Sequence, residues 1–81
     1  MNKQLVSYKS IDILIKVCPN TKILIYPADH PSSHVSNTNV CLTSLVLSFC
    51  RVSGKIETQN TIYTPLDDKA YKSFITNIDQ P

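Results

Sequence analysis

The sequence predicts a small α+β domain, in which an antiparallel sheet of about four strands precedes one C-terminal helix in the order β-β-loop-β-β-α. Short runs rich in Ile, Leu and Val occupy positions 11 to 63, several with the two-residue alternation of strands. Turn-forming residues separate these runs. From position 64 onward the apolar residues instead follow the 3.6-residue period of an amphipathic helix. Strands that are grouped before a helix favour an antiparallel sheet.

The first strands are predicted as a hairpin. Residues 1–10 are ambiguous and could begin a strand or lie as an ordered arm. Ile11, Ile13, Ile15 and Val17 alternate with less apolar residues and predict a strand over 11–17. Pro19-Asn20 suits the centre of a turn. A second short strand over 23–26 is expected to stop at Pro27.

A long loop is predicted over 28–39, because this segment is rich in Pro, Ser and Asn and has no apolar periodicity. The next stretch, 40–52, carries large apolar residues on both faces. As one unbroken strand it would span about 40 Å, which is double the usual length, so we expect a bend or bulge within it. A buried helix is the alternative.

The end of the chain is predicted as a turn, a strand and a helix. Gly54 marks the turn, and the polar alternation over 56–63 predicts an edge strand. Thr64 is the expected N-cap of the helix, and Pro65 is the expected first helical residue. The apolar stripe of this helix consists of Tyr71, Phe74, Ile75 and Ile78, and the helix should end near Asp79.

Length and charge limit the function classes. The 81 residues suffice for one domain, 1–81, which at this size is marginally stable without a disulfide, a metal or oligomerisation. The net charge of +2 comes from dispersed lysines and one arginine, so weak nucleic-acid binding is only an alternative. No apolar run is long enough for a transmembrane helix. The odd number of cysteines and the lack of a secretory signal favour an intracellular location. We expect this location to be the cytoplasm, either of the source organism or of a host cell.

The apolar stretch 40–52 predicts an interface. One helix about 20 Å long covers one face of a four-stranded sheet about 19 Å wide, and only partly. Soluble monomers seldom expose a large apolar patch, so we expect another chain to cover the second face, most commonly in a symmetric dimer. The monomeric alternatives are a sheet that curls into a small barrel and a face covered by the arm and the long loop. The residues expected at the interface are Leu42, Leu45, Val46, Leu47 and Phe49.

One group of residues has metal-binding character. His30 and His34 have the three-residue gap seen in paired zinc ligands, and Cys18 and Cys41 lie on either side of them. No Cys-x-x-Cys motif accompanies the pair, and exposed loop histidines are the simpler interpretation. A zinc-stabilised module is therefore the alternative, and the primary expectation includes no cofactor.

The leading functional hypothesis is a non-enzymatic protein that binds another protein or itself. No catalytic signature is present, and a chain with the single glycine Gly54 cannot form a glycine-rich phosphate loop. We therefore expect no enzymatic activity. Compact chains without a catalytic signature are common among viral and phage accessory or structural proteins, an association that favours such an origin.

Overall fold

The computed structural model describes residues 3–28 and 40–79 and has the predicted α+β class, with one C-terminal helix. In these ranges there are six strands and one helix: β1 (Gln4–Ile11), β2 (Leu24–Pro27), β3 (Cys41–Leu42), β4 (Val46–Phe49), β5 (Ile56–Thr58), β6 (Thr61–Pro65) and α1 (Asp68–Asp79). All six strands belong to one sheet, in the order β3-β2-β1-β6-β5-β4. The sheet has two more strands than predicted and is mixed instead of purely antiparallel, because β1 and β6 run parallel while the other neighbours are antiparallel.

The first strand lies earlier in the chain than predicted. Most of the ambiguous arm forms β1, which pairs with both β2 and β6. Near its start, Lys3 Nζ donates 2.7 Å hydrogen bonds to Glu57 Oε2 and to the carbonyl of Thr58. The prediction of a strand over 11–17 is wrong: Ile11 ends β1, and residues 12–17 form a loop. The second predicted strand, 23–26, is confirmed as β2 within one residue.

A buried side chain of α1 holds the 12–17 loop in place. Asn77 Nδ2 donates to the carbonyl oxygens of Asp12 at 2.9 Å and Ile15 at 3.0 Å, and Asn77 Oδ1 accepts from Val17 N at 2.8 Å. Asp12 Oδ1 also accepts from Leu14 N at 2.8 Å, which forms a local turn. These bonds satisfy the loop backbone without a neighbouring strand, so the alternation of isoleucines here does not produce a strand.

The stretch 40–52 is extended and bent as far as residue 49, as predicted, and its last residues enter a turn over 51–53; the helical alternative is wrong. Its first part, β3, pairs with β2, and its second part, β4, pairs with β5 on the opposite side. Residues 43–45 form the bend between them, and the register shifts between Val46 and Ser48 as in a bulge. One continuous segment therefore supplies both edge strands of the sheet.

The sheet must curl strongly, because three residues connect its two edges. A flat six-stranded sheet would separate β3 from β4 by about 24 Å. The bend reaches at most about 14 Å between Leu42 and Val46. Hydrogen bonds close the remaining gap: Val46 N donates to Thr21 O at 2.9 Å, and Asn20 N donates to Val46 O at 2.8 Å. The sheet is therefore curled in the direction of the barrel-like alternative, but β3 and β4 do not pair, so no closed barrel forms among the described strands.

The region after the Gly54 turn is a hairpin and not one edge strand. The predicted strand 56–63 divides into β5 and β6 at residues 59–60. Thr58 Oγ1 donates to Thr61 O at 2.9 Å and accepts from Thr61 N at 3.1 Å, so this buried side chain closes the turn. Because β6 also pairs with β1, it lies in the interior of the sheet.

The helix begins later than predicted. Thr64 and Pro65 belong to β6, which pairs with β1 up to Pro65, so the prediction that they start the helix is wrong. Asp67 Oδ1 instead accepts a 2.9 Å bond from Ala70 N and caps α1. The helix continues to Asp79, the last described residue, so its predicted end there stays a prediction. The apolar stripe is confirmed: Phe74 and Ile78 are buried, while Tyr71 and Ile75 pack partly buried against the same core.

Candidate functional site

The curled sheet divides the five residues expected at an interface. Val46 is fully buried in the core, and half-buried Phe49 packs edge-on against Phe74 with ring centroids 5.9 Å apart. Leu42 and Leu47 are exposed on the outside, and Leu45 is half-buried in the bend. A partner of the folded chain can therefore reach Leu42 and Leu47, whereas Val46 belongs to the interior.

Leu42 belongs to an apolar outer surface of β2 and β3. It pairs directly with Leu24 across the two strands. Tyr26 lies two residues beyond Leu24, and exposed Val40 lies two residues before Leu42, so alternation places all four side chains on the same face. We call Leu24, Tyr26, Val40 and Leu42 the β2–β3 outer face. Sequence reasoning missed Leu24, Tyr26 and Val40, although the alternation of buried Ile23 and Ile25 with Leu24 and Tyr26 was a usable signal.

The backbone of β3 also faces outward. Thr43 N donates to Ile23 O at 2.9 Å, so Thr43 and Ile23 form a hydrogen-bonded pair. In an antiparallel ladder such pairs alternate, which directs the N–H of Leu42 away from β2. The facing backbone of Leu24 follows the same rule, because its carbonyl accepts from Asp12 N on the other side. At the described edge of the sheet, Leu42 thus presents both an apolar side chain and a backbone donor.

The proposed zinc ligands cannot be assembled from the described residues. Cys18 is exposed, with Sγ 2.9 Å from Thr21 Oγ1, and Cys41 is half-buried beside the core. His30 and His34 lie outside the described residues. Within 3–28 and 40–79, no group of three or more His, Cys, Asp or Glu side chains could hold a metal ion. The zinc hypothesis stays a prediction.

The cysteine thiols differ in how easily they ionise. Burial raises the pKa of the Cys41 thiol. Hydrogen bonds from the side chain and backbone of Ser53, and from the backbone of Val52, lower the pKa of the exposed Cys50 thiol, and the charge of Lys55 adds to this effect. The thiolate therefore forms more readily at Cys50 than at Cys41.

Aspartate substitutions separate the interior and exterior parts of the predicted interface. We expect Phe49→Asp to lower the free energy of unfolding by about 2 kcal/mol, because a carboxylate would replace the ring packed on Phe74. Leu47→Asp should lower it by less than about 1 kcal/mol, because Leu47 is already 47% exposed. Urea unfolding monitored by circular dichroism measures both, and equal losses would show that Leu47 also packs inside.

Among the described residues, no helix has the length and apolar character needed to cross a membrane. Comparison of the chain with family models, with curated proteins and with solved structures found no match in any of the three.

Proposed function

We propose that this protein is a non-enzymatic interaction protein that associates with a second copy of itself through the β2–β3 outer face. The observation that carries the proposal is the exposure of Leu42, at 55%, opposite the apolar Leu24 and at an edge strand. Its neighbours from Val40 to Ser44 carry no charge. Edge strands commonly use charge or proline to prevent pairing, and this segment has neither.

The expected contact combines side-chain burial with backbone pairing. Burying one leucine side chain contributes roughly 1.5–3 kcal/mol, and a strand partner would also accept the outward N–H of Leu42. The four side chains form a small surface compared with the roughly 800 Å² that each partner contributes to a standard interface. We therefore expect association that depends on concentration in the micromolar to millimolar range, on the order of 10⁻⁶ to 10⁻³ M.

Leu42→Lys should weaken this association at least tenfold, because a charge at the edge would be desolvated on pairing. The matched control is Leu66→Lys. Leu66 is 53% exposed, almost the same fraction as Leu42, but it lies just before α1 and is not part of the β2–β3 outer face. Sedimentation equilibrium over three decades of concentration measures the molar mass of each variant. The wild type and Leu66→Lys should gain mass with concentration, and Leu42→Lys should gain much less. A wild-type chain that stays single throughout, or a Leu42→Lys chain that associates as well as the wild type, would overturn the proposal.

A further inference from the structure

The two edges of the sheet differ in whether another strand can pair with them. The edge formed by β4 is interrupted, because its register shifts between Val46 and Ser48 as in a bulge. Its backbone is also partly occupied, since Val46 N donates to Thr21 O at 2.9 Å and Val46 O accepts from Asn20 N at 2.8 Å. Bulges and existing partners both discourage edge pairing. Among the described residues, the edge formed by β3 has neither obstacle.

Val40, Cys41 and Leu42 form the straight part of the β3 edge, and the bend over 43–45 begins directly after them. Because backbone directions alternate along an antiparallel strand, the N–H and C=O of Leu42 point outward, as do those of Val40 two residues earlier. The Cys41 thiol donates a weak 3.6 Å bond to the Leu42 carbonyl, and a carbonyl oxygen with two lone pairs can accept a second bond. The edge therefore offers one outward residue on each side of Cys41.

A second copy of the same edge is the partner that these residues fit. In antiparallel pairing about a two-fold axis at Cys41, Leu42 of each copy lies opposite Val40 of the other copy. Each of these pairs exchanges both of its N–H···O bonds, so every outward group of 40–42 finds a partner. The segment 40–44 is uncharged, so the two copies bring no like charges together. Pairing centred on Leu42 would instead require Ser44, which lies in the bend.

The apolar outer face selects the antiparallel arrangement. In that arrangement the two outer faces lie on the same side of the joined sheet. Leu24 and Leu42 of one copy then continue in a row with Val40 and Tyr26 of the other copy. A parallel arrangement of the same two edges would turn the outer faces to opposite sides and would leave these side chains exposed.

We propose that two copies join by antiparallel pairing of residues 40–42 about a two-fold axis at Cys41, so that the two sheets become one. This inference rests on the proposed self-association and specifies how the β2–β3 outer face is used. Because one edge of each copy is suitable within the described part of the chain, association stops at two chains. Copies that joined through unlike surfaces would instead continue into larger assemblies.

Amide hydrogen exchange of the full-length wild type tests the backbone pairing. We compare a concentration at which sedimentation shows mostly paired chains with one at which the chains are single. The N–H groups of Val40 and Leu42 should exchange roughly threefold or more slowly in the paired sample. The matched control is Thr43 N–H, which donates to Ile23 O within each copy and should exchange nearly equally in both samples. Association that leaves the exchange of Val40 and Leu42 unchanged would overturn the edge pairing but not the outer-face proposal.

Cross-linking by diamide, which removes one hydrogen from each of two thiols, tests the register. One full-length chain keeps only Cys41, with Cys18→Ser and Cys50→Ser, and the control chain keeps only Cys50, with Cys18→Ser and Cys41→Ser. In the proposed pair the two Cys41 Cα atoms lie about 4.5 Å apart, a distance that a disulfide can span. The Cys41 chain should therefore form covalent dimers at least tenfold faster, although the thiolate forms more readily at Cys50.

Variants of the outer face complete this test. Adding Leu42→Lys to the Cys41 chain should remove its fast cross-linking, whereas adding Leu66→Lys should not. Cross-linking of the Cys50 chain as fast as the Cys41 chain, or wild-type assemblies larger than two chains, would overturn this inference while Leu42-dependent association still supported the outer-face proposal. A wild-type chain that stays single at every concentration would overturn both.

Discussion

Replacing Asn77 by leucine is expected to lower the free energy of unfolding by about 4 kcal/mol, the largest loss that we expect from a single substitution in α1. The side chain is fully buried and bonds three backbone groups of the 12–17 loop. Leucine has a similar volume but no polar atom, so all three groups would lose their partner. Each polar group left unsatisfied on burial costs about 1–3 kcal/mol.

Urea unfolding and amide hydrogen exchange would measure this effect. The matched control is Thr76→Ala, which alters the adjacent, exposed helix position and should cost less than about 0.5 kcal/mol. Asn77→Asp should also be strongly destabilising, because a carboxylate cannot donate to the carbonyls of Asp12 and Ile15. A loss below about 1 kcal/mol for Asn77→Leu would mean that water satisfies the loop backbone and that Asn77 does not hold the 12–17 loop in place.

Gly54→Ala is expected to cost about 3 kcal/mol, for two independent reasons. Gly54 has φ +77°, a left-handed conformation that costs a residue with a Cβ about 1–2 kcal/mol. The added Cβ would also lie 2.9 Å from Tyr71 Cδ1 and 2.9 Å from Tyr8 Oη, closer than van der Waals contact allows. Over-packing of this kind costs about 1–3 kcal/mol.

The Gly54 substitution should also disturb the buried hydroxyl of Tyr8. This hydroxyl donates a 2.7 Å hydrogen bond to Gly54 O, and burial, with a smaller effect of Tyr71, raises its pKa well above the usual value. Thermal unfolding should show a clear decrease in Tm for Gly54→Ala, and Lys55→Ala, one residue further and exposed, should leave Tm nearly unchanged. Equal Tm values for the glycine variant and the wild type would show that the turn can shift to accommodate a methyl group.

Some of the fold could be predicted from the sequence, because its signals are local. The helical stripe of Phe74 and Ile78, the strand that stops at Pro27 and the bend within 40–52 depend on spacings of a few residues. The same local logic failed over 11–17. The alternation there is typical of a strand, but β1 ends at Ile11 and already lies between β2 and β6 in the sheet. The backbone of the loop instead bonds to Asn77, sixty-two residues after Ile15.

The candidate site shows the same limit. The sequence predicted that Leu42 and Leu47 lie on a surface that a partner covers, and both are exposed in the single chain. It placed Val46 in the same group, but this residue is in the core, because the bend turns β4 toward the other edge of the sheet. The contacts that hold the 12–17 loop could not be predicted at all, since they join residues 60 or more positions apart in the sequence.

The sequence by itself determined that this chain forms an α+β domain with a C-terminal amphipathic helix and an apolar segment that must bend. Only the tertiary structure decided that this segment joins both edges of the sheet, and therefore which of its residues face inward. Side-chain periodicity defines the faces of each element, but strand pairing is made by backbone hydrogen bonds between distant segments. Which face becomes the interior depends on how all the strands close together.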